Sequence, residues 1–231
     1  VVAVAFSQHL HLQRRLAEAF ATDAIPRAER LAELVAESYA LAARRHRELG
    51  SDAILENRLA TIALGISLGH RKLSEVVAAL PPEFTELAPL WRDAPLQGRI
   101  DWTRHFWVSA ALTCLSDLVV SADIGQLKEE LDAGTAGGSG FSFADLAADL
   151  AGVALATALT GERLDARRLQ RKLAQPDQLQ QFVPTLATFP EGLSDQAILD
   201  QYGGVNGESY QAQINEITTS IRILPGYEGM P

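Results

Sequence analysis

The stretch PRAERLAELVAESYALAARRHRELG (26–50) places its apolar residues three or four positions apart. Leu31, Leu34, Val35, Leu41 and Ala42 then fall near one face of a helix, whereas the two-residue period of a strand would scatter them over both faces. Pro26 is predicted at the first helical position and Gly50 just past the last. The pattern recurs along the chain. Ser51 or Asp52 caps a helix over 53–68, and a shorter one over 71–80 stops at Pro81-Pro82. Asp101 or Thr103 opens a helix to about 120, and another covers about 122–133. Ser142 caps a helix to Thr160-Gly161, with Asp145 three residues on as a variant of the capping box. Residues 165–174 form a short amphipathic helix, and Ser194 caps one ending at Gly203-Gly204. Over 208–224, Tyr210, Ile214, Ile217 and Ile221 share a stripe, although the Thr and Ile content leaves a strand as the alternative there. No run of alternating strands occurs. The fold class is therefore mainly α: an irregular multi-helix globule with a central helical hairpin and a loop-rich C-terminal part.

Residues 81–100 carry four prolines and no sustained period, which marks a connection. We read 1–231 as a single α-helical domain, with Trp91 pinning the connection to the core. The alternative is two lobes, 1–80 and 99–231, joined by the Pro-rich segment 81–98. The 231 residues are 47% hydrophobic and 21% charged, enough to build a core without disulfides or metal. The single cysteine, Cys114, excludes an internal disulfide and a thiolate zinc motif. It is expected to be a core residue, and low cysteine usage suits periplasm and cytoplasm alike.

A net charge of −9 argues against nucleic acid as a partner, because basic patches supply affinity for phosphate backbones. Arg44, Arg45 and Arg47 are the best basic cluster and read as helix-end cations ahead of Gly50. No apolar run reaches the roughly 18–20 residues of a spanning helix. VVAVAFSQHLHL resembles the tail of a secretory h-region but lacks a basic flank. The start at Val1 predicts processing or trimming.

Chemistry concentrates between His105 and Asp149. His105, Ser109, Leu112 and Ser116 lie along one helical stripe. Lys128, Glu129 and Asp132 adjoin on the next helix, and Asp145 and Asp149 are four apart on the third. His105, Glu129, Asp132 and Asp149 are expected to converge. The favoured reading is a buried ionic network, with Lys128 neutralising one acid and His105 donating to a carboxylate or carbonyl; buried charges persist when so paired. The alternative is a divalent-metal or acid–base site, since carboxylates with one imidazole suit Mg, Mn or Fe. A third reading leaves the groups exposed. GTAGGSG (134–140) reads as a turn, lacking the phosphate-loop and dinucleotide patterns. His9 and His11 read as a surface pair, His46 and His70 as helix-end residues, Glu208 and Glu216 as solvated. Trp102, Trp107 and the two phenylalanines of GFSF are expected in the core. HExxH does not occur, and Ser109 beside His105 has no flanking glycines to form a nucleophile elbow.

RHFWVSAAL (104–112), IGQLKEELD (124–132) and GGSGFSFADLAADLAG (137–152) together resemble an uncharacterised bacterial protein family with an HF–SA, GxxKExxD and GGSGFSFxDLAADxAG signature. PLQGRIDW (95–102) and ENRLATIALGISL (56–68) extend the resemblance to about 54–160. A fainter similarity links His105, Gly125, Lys128, Glu129, Asp132, Asp145, Asp149 and Gly152 to VanZ-like proteins and small periplasmic lipoproteins. VanZ-like members are membrane proteins, and this chain departs from them in having no spanning segment. The resemblance implies an envelope-associated bacterial protein, in periplasm or cell envelope, with cytoplasm as the alternative. A structural or interaction role with a protein partner is the first functional expectation, and peripheral envelope association is compatible with it. The other is a hydrolase acting on an envelope component through His105, Glu129, Asp132 and Asp149, without a cofactor or with one divalent metal.

Overall fold

The computed structural model describes residues 2–69, 73, 94–116 and 140–230. Among them are eight α-helices and no strand: α1 (Val2–Ala21), α2 (Arg30–Leu49), α3 (Ala53–Leu64, running into a π-helical turn at Gly65–Gly69), α4 (Ile100–Ser116), α5 (Phe143–Thr160), α6 (Arg163–Leu173), α7 (Asp195–Tyr202) and α8 (Glu208–Arg222). The mainly α reading holds, and the strand alternative for the last segment is overturned by α8, which buries Ile217 and Ile221. Apart from Leu73, the helices predicted over 71–80 and 122–133, and most of the 81–98 connection with Trp91, lie outside the described residues.

Helix ends follow local chemistry where a cap is within reach. The Ser142 hydroxyl accepts from Asp145 N–H at 3.0 Å, and Ser194 accepts from Ala197 N–H at 3.1 Å. Each satisfies one of the N–H groups a first turn leaves without a helical partner. Gly50 closes α2 with φ 65°, as predicted. Pro26, however, does not start α2. Arg30 reaches back to Phe20 O (3.0 Å), Ile25 O (3.1 Å) and Asp23 (2.7 Å), so its side chain closes the 22–29 turn and the helix begins at Arg30. Likewise Thr103 does not cap α4. Its hydroxyl accepts from Leu96 N–H at 2.7 Å and donates to Ala94 O at 2.9 Å, tying the incoming segment to the helix flank. Ser194→Ala is expected to cost about 1 kcal/mol, the usual value of an N-cap, measured as a lowered urea midpoint at constant slope.

One hydrophobic cluster runs from Ala5 to Ile221. Its centre is α4, with Phe106 and Trp107 fully buried and edge-to-face at 5.2 Å. Among the described residues the α4–α5 pair is the most extensive helix contact. Along it α5 offers Ala144, Ala147, Ala148, Ala151 and Gly152, all buried. Small side chains let the two backbones approach closely. A Cβ at Gly152 would sink into the Phe106 carbonyl and lie 3.2 Å from Ala110 N, so only glycine fits. On the other flank, a Cβ at Gly65 would overlap Ala111 and lie 2.9 Å from Trp107 O.

Polar side chains lock α3 to its neighbours. Asn57, fully buried, donates to Leu159 O (2.9 Å) and Ala166 O (3.1 Å) and accepts from Gln170 Nε2 (2.8 Å). Tyr39 and Thr61 share a 2.8 Å hydrogen bond, and Thr61 donates to Asn57 O. The segment 143–160 has the length and apolarity of a membrane-crossing helix. Its apolar residues Phe143, Leu155 and Leu159 are nonetheless fully buried within the protein.

Candidate functional site

The close α4–α5 approach sets His105 against two acids one helical turn apart. His105 Nδ1 lies 3.2 Å from Asp149 Oδ2 and 3.3 Å from Oδ1; its Nε2 lies 3.8 Å from Asp145 Oδ2. Ser109, one turn beyond His105, donates to Asp149 Oδ1 at 2.7 Å. The side chains of His105, Asp145 and Asp149 are 27%, 26% and 33% exposed, so the cluster is half-buried with a solvent-facing side.

Of the residues predicted to converge, His105 and Asp149 do so. Lys128, Glu129 and Asp132 lie outside the described residues. Asp145 corrects the sequence reading. Its N–H is capped by Ser142, but its carboxylate does not return to the cap. It turns toward His105, and its Oδ1 is buried with no hydrogen-bond partner. Its local role at the helix start therefore accounts for the backbone and leaves the side chain for the site.

Two residues that the sequence reading passed over, Arg99 and Glu191, complete the surroundings. Arg99 donates to both Glu191 oxygens at 2.8 and 2.7 Å, donates to Asp101 at 3.0 Å, and stacks 4.3 Å above the Trp102 ring. Ser142 donates to Glu191 at 3.3 Å. Arg99 thus clamps the 191 loop to the starts of α4 and α5. No sequence spacing signals this, because Arg99 and Glu191 are 92 positions apart.

Burial is the largest influence on His105 and opposes its charge. The Asp149 hydrogen bond and the charges of Asp149, Asp145 and Asp101 together outweigh it, so its pKa rises above the ordinary 6.5. Asp145 is also pushed up, first by burial and then by Asp101 and Glu191, against the pull of His105 and Arg99. Asp101 is held low by the Arg99 hydrogen bond. The imidazole therefore sits between two acids as a favoured cation.

A second ionic cluster corrects two more expectations. His9 is not on the surface, and Arg45 is not merely a helix-end cation. Arg45 Nε donates to both Glu56 oxygens at 3.1 and 2.9 Å, with 6% and 1% of the two residues exposed. His9, fully buried, has Nε2 3.8 Å from Glu56. Burial drives the His9 pKa below 6.5 despite Glu56. Glu56 is held low by His9 and Arg45, which overcome the larger single effect of burial. His11 is exposed, and His46 Nδ1 contacts Ser51 O at 2.6 Å in the last turn of α2, as a helix-end residue. His70 lies outside the described residues. Cys114, Trp102, Trp107 and Phe143 are buried as expected, with Phe141 half-buried against them.

The two histidines act on stability in opposite senses. His105, raised in the folded state, contributes stability fully present below 6.5 and lost as pH climbs through its folded pKa. His9, lowered, contributes stability present above 6.5 and lost as pH falls through its folded pKa. The expected result is a Tm that crests near pH 6.5. His105→Gln should flatten the alkaline limb and leave the acid limb; His9→Gln should do the reverse. Calorimetry between pH 5 and 8.5 checks both, and identical limbs in all three proteins would refute the assignment.

Among the described residues no three of His, Cys, Asp and Glu are grouped so as to hold a metal ion. No family model, curated protein or solved structure matches this chain.

Proposed function

We propose that this chain is a helical protein with a structural or interaction role, whose charged motif is an ionic network holding α4 and α5 in register. The supporting observation is the direction of the protons around His105. Both imidazole nitrogens face carboxylates, which favours the charged ring and disfavours its use as a base near neutral pH. Ser109 gives its proton to Asp149 at 2.7 Å rather than to the imidazole, so the serine is not poised for activation by histidine. The envelope location belongs to the same proposal and rests on the motif resemblance.

The competing reading is a metal-assisted or acid–base hydrolase, with Glu129 and Asp132 joining His105 and Asp149. It is favoured by the solvent-facing side of the cluster and by the partnerless Asp145 oxygen. One pair of measurements separates the two. Under the network reading, Asp149→Asn lowers Tm by several degrees, and elemental analysis of purified protein finds substoichiometric metal. One tightly held metal per chain, lost in Asp149→Asn, would overturn it.

A further inference from the structure

A cleft of about 470 Å³ opens between α1 and α2, away from His105, lined by Gln8, His11, Leu12, Arg15, Leu41, Arg44, Arg45, Glu48 and Leu49. Its charges run against those of the molecule. The chain carries −9 overall, yet this cleft presents three arginines to one carboxylate. Arg15 on α1 and Arg44 on α2 are exposed and make no ion pair or hydrogen bond. Arg45 closes the inner end. Its Nε is held by Glu56 and its Nη1 by Gln8, while Nη2 makes no hydrogen bond.

The floor between these cations is apolar. Leu12 and Leu41 are buried beneath it, and Leu49 stands 66% exposed at its edge. An unpaired exposed arginine alone is an ordinary solvated surface group. Two from facing helices over a leucine floor, with a buried third behind them, form a recess in which cations outnumber the one lining carboxylate, Glu48. Guanidinium groups match carboxylate and phosphate oxygens through paired N–H donors. The leucines match a hydrocarbon chain, and the volume lies within the usual range of small-molecule sites, about 300–1,000 Å³.

We propose that this cleft binds a small anionic amphiphile, a single carboxylate or phosphate head on a medium-length hydrocarbon tail. The head sits between Arg15 and Arg44 and the tail lies over Leu12, Leu41 and Leu49. The proposal is independent of the His105 network.

Isothermal titration at low salt tests it, with decanoate, decyl phosphate, decyltrimethylammonium and inorganic phosphate, each below its micelle concentration. Saturable one-to-one binding is expected for one or both decyl anions, and comparing them identifies the head. The Arg15→Gln/Arg44→Gln double variant should weaken binding about tenfold, which is about 1.4 kcal/mol. Leu49→Ser should weaken the decyl anions as well. The substituted residues are exposed, so Tm serves as a folding control and should stay within a degree or two. Failure of both decyl anions to saturate would overturn the proposal, as would equal affinity in the double variant. Equal binding of decyltrimethylammonium would reduce the cleft to a greasy surface, and equal binding of inorganic phosphate would remove the tail; either overturns it.

Discussion

Replacing Glu56 with alanine is expected to lower stability by about 3–5 kcal/mol, the cost of breaking a buried ion pair from one side. The loss is large because Arg45 stays behind. Arg45 is 6% exposed, and among the described residues only Gln8 would remain to accept from it. A typical domain has about 5–15 kcal/mol in total, so the variant should melt far below wild type. Arg45→Met/Glu56→Leu removes both charges and should recover most of the loss, since a hydrophobic pair of similar volume is often as stable as the ion pair it replaces. Urea titration of the three proteins checks this. A double variant as unstable as the single would show that loss of the ion pair itself, not the stranded charge, sets the cost.

Gly152→Ala is expected to destabilise by about 2–3 kcal/mol, toward the upper part of the range for overpacking. Helix propensity alone predicts the opposite sign, because alanine exceeds glycine by about 1 kcal/mol inside a helix. The sign of the measured change therefore separates packing from propensity. A methyl at 152 would meet the Phe106 backbone, which has no rotamer to adopt. Relief requires α4 and α5 to part, and His105 and Asp149 hang from those helices. The same variant should therefore flatten the alkaline limb of the Tm–pH profile. Intact His105 titration in Gly152→Ala would argue against this coupling.

Local features of the fold were legible in the sequence. Ser142, Ser194 and Gly50 act on backbone groups within a few residues, so their identity and position suffice. The stripe that ends in Ile217 and Ile221 is likewise periodic and local. Pro26 failed as a helix start because Arg30, four residues on, had a better use in closing the turn. That choice depends on where the end of α1 lies in space.

The charged groups divide the same way. That His105 and Asp149 belong together followed from their helical faces. That Asp145 would leave its cap for His105 did not, because both uses suit an acid at a helix start. His9 looked exposed because a histidine pair near α1's start has no visible partner; Glu56, 47 positions on, supplies the charge that makes burial tolerable. Arg99 and Glu191 were silent for the same reason. The sequence by itself determined the helical class and the ends of several helices, since hydrogen bonds and periodicity act over a turn or two. Only the tertiary structure decided which charges are buried together and which arginines face an open cleft, because the free energy of a buried charge depends on partners that chain order does not reveal.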